Sequence, residues 1–398
     1  MSNGRRVGVG IVGAGFIGPA HVEALRRLGW VDVVALAGAT QSSAERSAEA
    51  LYVPRAYGDY RELAADPAVD VVHITAPNDL HYAAARAALL AGKHVVCEKP
   101  LATSSAESAE LVRLAERSGR VHAVTFNMRF YPLLQHARAL ILRGELGPVY
   151  LVHGGYWQDW LLLDTDYNWR VDPARGGALR AVGDIGSHWL DLARFLTGLP
   201  IRAVSADLAT FLPVRRRPLD GAAGADGAER TPVSVETEDA AAVLLRFGEN
   251  ARGTMVVSQV SAGRKNRLAI EINGARGSIA WDGERPNELW IGHRDRPNEL
   301  LVKDPALLAE EARRHARYPG GHAEGFPDSH TAINRAIYEY IHAGGRGSGV
   351  GPGFPTFVDG HRENLIADAV LESAQQSRWV TVEAPSWSQS FPAADKKR

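Results

Sequence analysis

"VGVGIVGAGFIGPAHVEALRRLG", residues 7–29, decides how the rest of the chain is read. A Val-rich run as long as a buried parallel strand leads into Gly13, Gly15 and Gly18, and apolar positions at helical spacing follow. Gly13 permits a tight turn, Gly15 lets the backbone approach a pyrophosphate, and Gly18 lets the helix pack on the strand. Phe16 and Ile17 open that helix, whose free N–H groups and positive dipole end face the phosphates. Glycines in this spacing are a weak signal alone. Set between a strand and a helix, they point to a dinucleotide site rather than a plain turn.

The alternation continues to about residue 125. The runs "VDVVALAG", "VDVVHITAP", "KHVVCEKP" and "RVHAVTFN" read as further strands, with helical patterns between them. Such βαβ order predicts a doubly wound parallel sheet covered on both faces. Beyond Tyr150 strand-like segments follow one another directly, which predicts an α+β part with a large, mostly antiparallel open sheet. Residues 215–232, "RRRPLDGAAGADGAERTP", read as an exposed loop or flexible insertion, and 383–398 as a flexible tail.

Composition excludes several classes. Of 398 residues, 45 are Lys or Arg and 46 are Asp or Glu, so no basic field draws nucleic acid or an anionic membrane. The single cysteine, Cys97, precludes an internal disulfide and a multi-cysteine metal site, and fits a cytoplasmic location. No run reaches the roughly 18 apolar residues of a membrane span. Arg5 and Arg6 before the apolar run resemble a twin-arginine signal. The ordered glycines, and the lack of a small-residue cleavage site, favour a first strand instead.

Three places carry chemistry. The second strand ends in Ala39, Thr40, Ser42 and Ser43, without the acidic residue that would repel a 2′-phosphate. Arg46 is close, so NADP and NAD both remain open, and the hydroxyls also suit a helix cap. Glu98, Lys99 and Pro100 sit at a strand's carboxyl end, where open α/β sheets bind ligands. The peptide before Pro100 is a candidate for a special turn. In "VGDIGSHWLD", 182–191, Asp184 and His188 are four residues apart and would be helical neighbours. A histidine near pKa 7 suits removal of a hydroxyl proton, and an aspartate can orient it. A helix-capping Asp184, a core His188 or a metal site with His153 are the alternatives.

Taken together, "GAGFIG", "APNDLH" (76–81), "GKHVVCEKPLA" (92–102), "FNMRFYP" (126–132) and "GDIGSHWLDL" (183–192) resemble the Gfo/Idh/MocA oxidoreductase family in order and spacing, from about Arg6 to about Val382. "GGYWQDWLLLDTDYNWRVDP", "GGHAEGFPDSH" and "FPTFVDGHREN" are most similar to its levoglucosan-dehydrogenase and sugar 3-dehydrogenase branch. The resemblance implies a Rossmann domain at 1–126 and a substrate-binding, oligomerising α/β domain at 127–382. It also implies a homodimer or homotetramer and an NAD(P)-dependent oxidoreductase of a sugar, glycoside or cyclitol. Lys99, Asp184 and His188 match the family's catalytic lysine, aspartate and histidine, and the branch tilts the cofactor to NAD.

The cofactor groove is expected to use Gly13, Gly15, Phe16, Ile17, Gly18, Ala39, Thr40, Ser42, Arg46, Ala76, Pro77, Asn78, His81, Glu98, Lys99, Pro100 and Asn127, with Trp169 and Arg170. For the substrate we expect Lys99, Arg129, Tyr131, Tyr156, Gln158, Trp160, Asp184 and His188. Aromatic faces there suit the C–H faces of sugar rings, and Trp157, Asp159 and Tyr167 belong to the same stretch. His322 and Glu324 are candidates to close the pocket. No metal is expected. Two rivals use the same residues: a glycoside-cleaving enzyme working through a transient keto-sugar, and a non-catalytic sensor or repressor.

Overall fold

A computed structural model describes residues 6–219, 229–348 and 351–383, apart from the side chains of residues 346 and 348. Six strands form a parallel sheet: β1 (Val7–Val12), β2 (Val31–Ala37), β3 (Ala56–Tyr57), β4 (Val71–Ile74), β5 (His94–Cys97) and β6 (His122–Val124). Their order is β3-β2-β1-β4-β5-β6, so the chain reverses direction across the sheet between β1 and β4. That switch point opens a crevice at the strands' carboxyl ends. All six residues of β1 are buried, as a strand covered on both faces requires.

Gly13 follows β1 at φ +98°, and a Cβ there would lie 2.6 Å from the Ala76 backbone nitrogen just after β4. Thr75 Oγ1 donates to Gly13 O at 2.6 Å. The crevice floor is therefore backbone against backbone, which only glycine permits.

The second sheet is built from β7 (Val149–Trp157), β8 (Ile201–Ala209), β11 (Ala240–Phe247), β12 (Ala251–Ser258), β13 (Arg267–Gly274), β14 (Gly277–Asp282), β15 (Glu288–His293), β16 (Glu299–Val302) and β17 (Val380–Thr381). Its order is β16-β15-β14-β13-β7-β12-β11-β8-β17, antiparallel except for the β7–β12 pair. Alternation of buried and exposed residues along β11 and along β12 as far as Val257 marks one core face and one open face. The core face packs on helices Pro132–Leu142, Ser187–Thr197 and Phe357–Gln376. Trp189, fully buried, donates Nε1–H to Ala269 O at 3.0 Å.

The last part of the chain returns to the first sheet. Ile333, Ile337, Tyr338 and Ile341 of helix Phe326–His342 pack with Val9, Ile11 and Leu25, and Phe357 packs with Val12 and Ile74. Asn364 Nδ2 donates to Ala102 O at 2.8 Å. Among the described residues, no helix is long and apolar enough to cross a membrane.

The structure corrects the reading of 215–232. Arg215 is fully buried, and β9 (Val214–Pro218) pairs antiparallel with β10 (Arg230–Ser234) in a hairpin. Its neighbours explain why: Arg216 N donates to Asp164 O at 2.7 Å and Arg230 Nη1 to Thr165 O at 2.7 Å, clasping the loop that follows β7. Residues 220–228 of that stretch, and 384–398 of the expected tail, lie outside the described residues.

Candidate active site

Lys99 leaves the end of β5 through a cis peptide to Pro100. Its ammonium donates to the Asp184 backbone O at 2.7 Å and to Asp184 Oδ1 at 2.8 Å. The same Oδ1 lies 3.2 Å from Arg170 Nε, and Oδ2 accepts from Gln259 Nε2 at 2.9 Å. The Lys99 and Asp184 side chains are 11% and 14% exposed, a small window onto the crevice. Burial pushes the Asp184 carboxyl up, but Arg170 and Lys99 outweigh it and hold it well below the usual carboxylate range.

His188 lies beside this cluster, with Phe126 and Tyr156 ring centroids at 6.2 and 6.3 Å. Its Nδ1 is buried without a hydrogen-bond partner. Burial first, and the Lys99 charge second, push the imidazole down to about 3, so it is neutral at physiological pH.

Two expectations about Asp184 are corrected here. It neither caps a helix nor hydrogen-bonds His188. The helical stretch opens earlier, where both oxygens of the Glu238 carboxylate accept from Arg180 N at 2.9 and 3.0 Å, and Oε1 also accepts from Val182 N at 2.9 Å. Val182–Gly186 then forms a π-helical turn before helix Ser187–Thr197. The wider turn breaks the α-helical i,i+4 register, so Asp184 points to Lys99 and acts on His188 only through its charge.

On the cofactor side, the residues fit a dinucleotide. A Cβ on Gly15 would meet nothing within 4 Å, Phe16 is 86% exposed, and no side chain caps helix Ile17–Arg26. Gly18 fits only as glycine, because a Cβ would lie 2.6 Å from Gly13 O. Thr40 caps helix Gln41–Ala50 in a capping box with Ser43, and Ser42 Oγ lies 3.3 Å from Thr40 Oγ1. The capping reading of these hydroxyls therefore holds. Ala39 and Arg46 are exposed beside them.

His81 bridges Ala76 O at 2.9 Å and Pro100 O at 2.6 Å, tying the β4 and β5 loops together next to Pro77. Asn78 Nδ2 donates to Gly176 O at 2.8 Å, and Asn127 Nδ2 to Ser329 Oγ at 2.9 Å. Each amide nitrogen thus links the first sheet's loops to the chain beyond residue 126. Glu98 is bound 3.0 Å from His21 Nε2, and the contact continues through His21 Nδ1 to His73 at 2.9 Å and on to the Tyr338 hydroxyl at 2.9 Å. Burial raises the Glu98 carboxyl, but the His21 hydrogen bond outweighs it and the net shift is down to about 2.

The substrate wall is assembled only in part. Tyr156 OH and Gln158 Nε2 both donate to Asn266 Oδ1, at 2.6 and 2.7 Å, and Trp160 Nε1 donates to Gln158 Oε1 at 2.7 Å. Trp160 and Tyr167 pack on a small core of Leu161, Val171 and Val235. The Arg170 guanidinium stacks on Trp169 at 4.3 Å.

Several expected residues lie elsewhere. Trp157 and His153 alternate onto the open sheet face, with Arg267 over the Trp157 ring and His153 near Glu271. Asp159 pairs with exposed Lys265 at 2.6 Å. Arg129 binds Asp191 through Nε and Nη2 and Asp359 through Nη2 in a buried ion cluster. Tyr131 is buried with its ring edge on Trp281. Glu324 is buried against Lys303 at 2.7 Å and His322 is exposed, so neither closes the pocket. Among the described residues, no group of His, Cys, Asp or Glu gathers as metal ligands.

Sequence reasoning missed Gln259, the His21–His73–Tyr338 chain and the Arg180–Asp239–Arg215 triad. Arg180 and Arg215 both reach Asp239 Oδ1, and all three side chains are fully buried. The signal available was the acidic "ETED" ahead of an alternating strand, facing arginines in "GALR" and "RRR".

Comparison with known proteins follows the same lines. Residues 7–126 match the oxidoreductase family with an NAD-binding Rossmann fold (GFO_IDH_MocA), and residues 134–280 match the GFO/IDH/MocA C-terminal domain. Levoglucosan dehydrogenase of Pseudarthrobacter phenanthrenivorans is 32% identical over 407 aligned positions, covering 95% of this chain and 98% of the relative. D-xylose 1-dehydrogenase (NADP(+)) 2 of Haloferax volcanii is 34% identical over 201, covering 50% and 60%. The solved structure of levoglucosan dehydrogenase in complex with NADH and L-sorbose superposes with TM-score 0.86 at 31% identity, covering 95% and 99%.

Proposed function

The chain belongs to the Gfo/Idh/MocA oxidoreductase family as an NAD(P)-dependent dehydrogenase, and on that premise we propose that it oxidises a secondary hydroxyl of a sugar or glycoside to a ketone, or runs the reverse. The observation that carries this reading is a fixed ammonium beside a neutral imidazole: Lys99 held by Asp184, and His188 kept neutral by burial and by the Lys99 charge.

When bound, the nicotinamide supplies the acceptor for the substrate's hydride. The chain's own residues manage the oxygen and its proton. Neutral His188 takes the hydroxyl proton. Lys99 donates to the same oxygen and stabilises its growing negative charge. Asp184 holds Lys99 in place. Gly13, Gly15 and the uncapped helix Ile17–Arg26 would hold the pyrophosphate, and Glu98, kept anionic by His21, accepts from Lys99 N at 3.3 Å beneath the site. Trp160, Tyr156 and Gln158 flank the sugar, and Trp169 with Arg170 borders both ligands. The similarity to levoglucosan dehydrogenase supports an anhydrosugar or related pyranose. Exposed Arg46 leaves room for a 2′-phosphate, while the capped Thr40 and Ser43 favour NAD.

Cofactor reduction followed over a panel of sugars, anhydrosugars, glycosides and cyclitols tests the proposal. Stoichiometric reduction with at least one of them is expected. A folded, cofactor-binding protein that turns over none contradicts it. A glycoside cleaved without net reduction would instead identify the redox-neutral rival.

Because burial keeps His188 neutral down to about 3, the acid limb of the kcat/KM profile belongs well below pH 6.5. Activity is expected to stay flat from pH 7 to pH 5, and a limb centred near 6.5 would show that this imidazole titrates as an exposed one does.

A further inference from the structure

We propose that Gln259 is a positioning residue: its amide, locked by Arg180, turns Asp184 so that Oδ1 holds the Lys99 ammonium. The inference rests on the reading of Lys99 given above. Gln259 lies just beyond β12 and is fully buried. Its backbone is fixed on both sides, with N donating to Asp239 O at 3.0 Å and O accepting from Leu161 N at 3.2 Å.

The orientation of the amide follows from chemistry. A guanidinium only donates, so the face toward Arg180 Nη1, at 3.4 Å, is Oε1. A carboxylate only accepts, so the face toward Asp184 Oδ2, at 2.9 Å, is Nε2. The flipped amide would set donor against donor and acceptor against acceptor.

Arg180 cannot swing to relieve that. It is fully buried, bonded to Asp239 through Nη2 and to Thr237 Oγ1 through Nε at 3.2 Å. Asp239 is anchored in turn by Arg215 at 2.7 Å and by Phe211 N and Leu212 N at 2.7 and 2.8 Å. Arg215 also reaches the carbonyls of Leu161, Leu163 and Asp166 at 2.9 to 3.0 Å. One train of hydrogen bonds therefore runs from the loop carrying Trp160 and Tyr167 to the carboxylate that holds Lys99. Among the described residues Oδ2 has no hydrogen-bond partner besides Nε2, so without it the carboxylate is free to rotate toward Arg170 and away from Lys99.

Two variants test this. Gln259→Glu keeps the shape. Protonated, it donates one O–H to Asp184 as the amide does; ionised, it sets a carboxylate against a carboxylate. Its kcat/KM is expected to fall at least ~10-fold as pH rises, through an ionisation the native enzyme lacks. Gln259→Leu is expected to be low at every pH.

The second readout needs neither cofactor nor substrate. Acylation of Lys99 by acetic anhydride, quantified by peptide mass spectrometry against exposed Lys265, is expected to rise at least ~5-fold in Gln259→Leu, because a charge-assisted bond is loosened. In Gln259→Glu the rise is expected only at the higher pH. Lys99 labelling equal to native in both variants, or kcat/KM lowered by one constant factor at all pH values in both, overturns the proposal. If the native protein oxidises no sugar, the functional reading fails, and the labelling still decides the role of Gln259. If Gln259→Leu does not fold, Gln259→Glu carries both readouts.

Discussion

Replacing Lys99 by methionine is expected to lower kcat by about 10²–10³-fold, the usual cost of removing one donor to a developing oxyanion. The fold is expected to survive. Asp184 keeps Arg170 at 3.2 Å and Gln259 at 2.9 Å, so its carboxylate is not left bare. Cofactor affinity, read by fluorescence titration, is expected to change by less than ~3-fold, since a donor met only in the transition state contributes little to ground-state binding. Lys99→Arg is not expected to rescue, because a planar fork does not reproduce a point charge seated between Asp184 O and Oδ1. A Lys99→Met enzyme with native kcat would remove the lysine from the chemistry.

The second large effect is on stability. Asp239→Ala is expected to destabilise the protein by about 3–5 kcal/mol, measured as a lower denaturation midpoint in urea, because it leaves two buried guanidiniums without their shared carboxylate. Burial pushes the Asp239 carboxyl up, but the bonds from Arg180, Leu212 N and Arg215 outweigh it and hold it below its ordinary value. The same substitution releases Phe211 N and Leu212 N. The loss is therefore expected to exceed that of a surface pair such as Arg61–Asp59, which contributes at most about 1 kcal/mol. A midpoint equal to native would show that the triad is not under the tension of an unpaired charge when Asp239 is gone.

The first sheet was legible because its signals are local. Gly13, Gly15 and Gly18 sit within six residues, and buried parallel strands read as Val-rich runs. Lys99 and Asp184 were legible as residues, yet their partnership was not. Spacing in an ideal α-helix paired Asp184 with His188, and a π turn cannot be seen in that spacing. The backbone where that stretch begins is held by Glu238, more than 50 positions away.

Gln259 was missed for a related reason. It is one polar residue after an alternating strand, where polar residues ordinarily face water, and only the fold brings Arg180 and Asp184 to its two ends. Arg215 was read as exposed because it opens an arginine run beside a glycine-rich stretch. Only its neighbour residues show that Asp239 draws it inside. Arg129 failed in the opposite direction: it follows a strand end, as ligand-binding residues do, but Asp191 and Asp359 claim it.

The central claim is that Lys99 and His188 act on the oxygen of a carbon that gives its hydride to the nicotinamide. A single turnover with a sugar deuterated at the reacting carbon tests it most directly, with the cofactor analysed by mass spectrometry. The account predicts one deuterium in the reduced cofactor of the native enzyme, and a transfer about 10²–10³-fold slower in Lys99→Met and slowed likewise in His188→Ala. Reduced cofactor without deuterium, or equal rates of transfer in all three proteins, would contradict it.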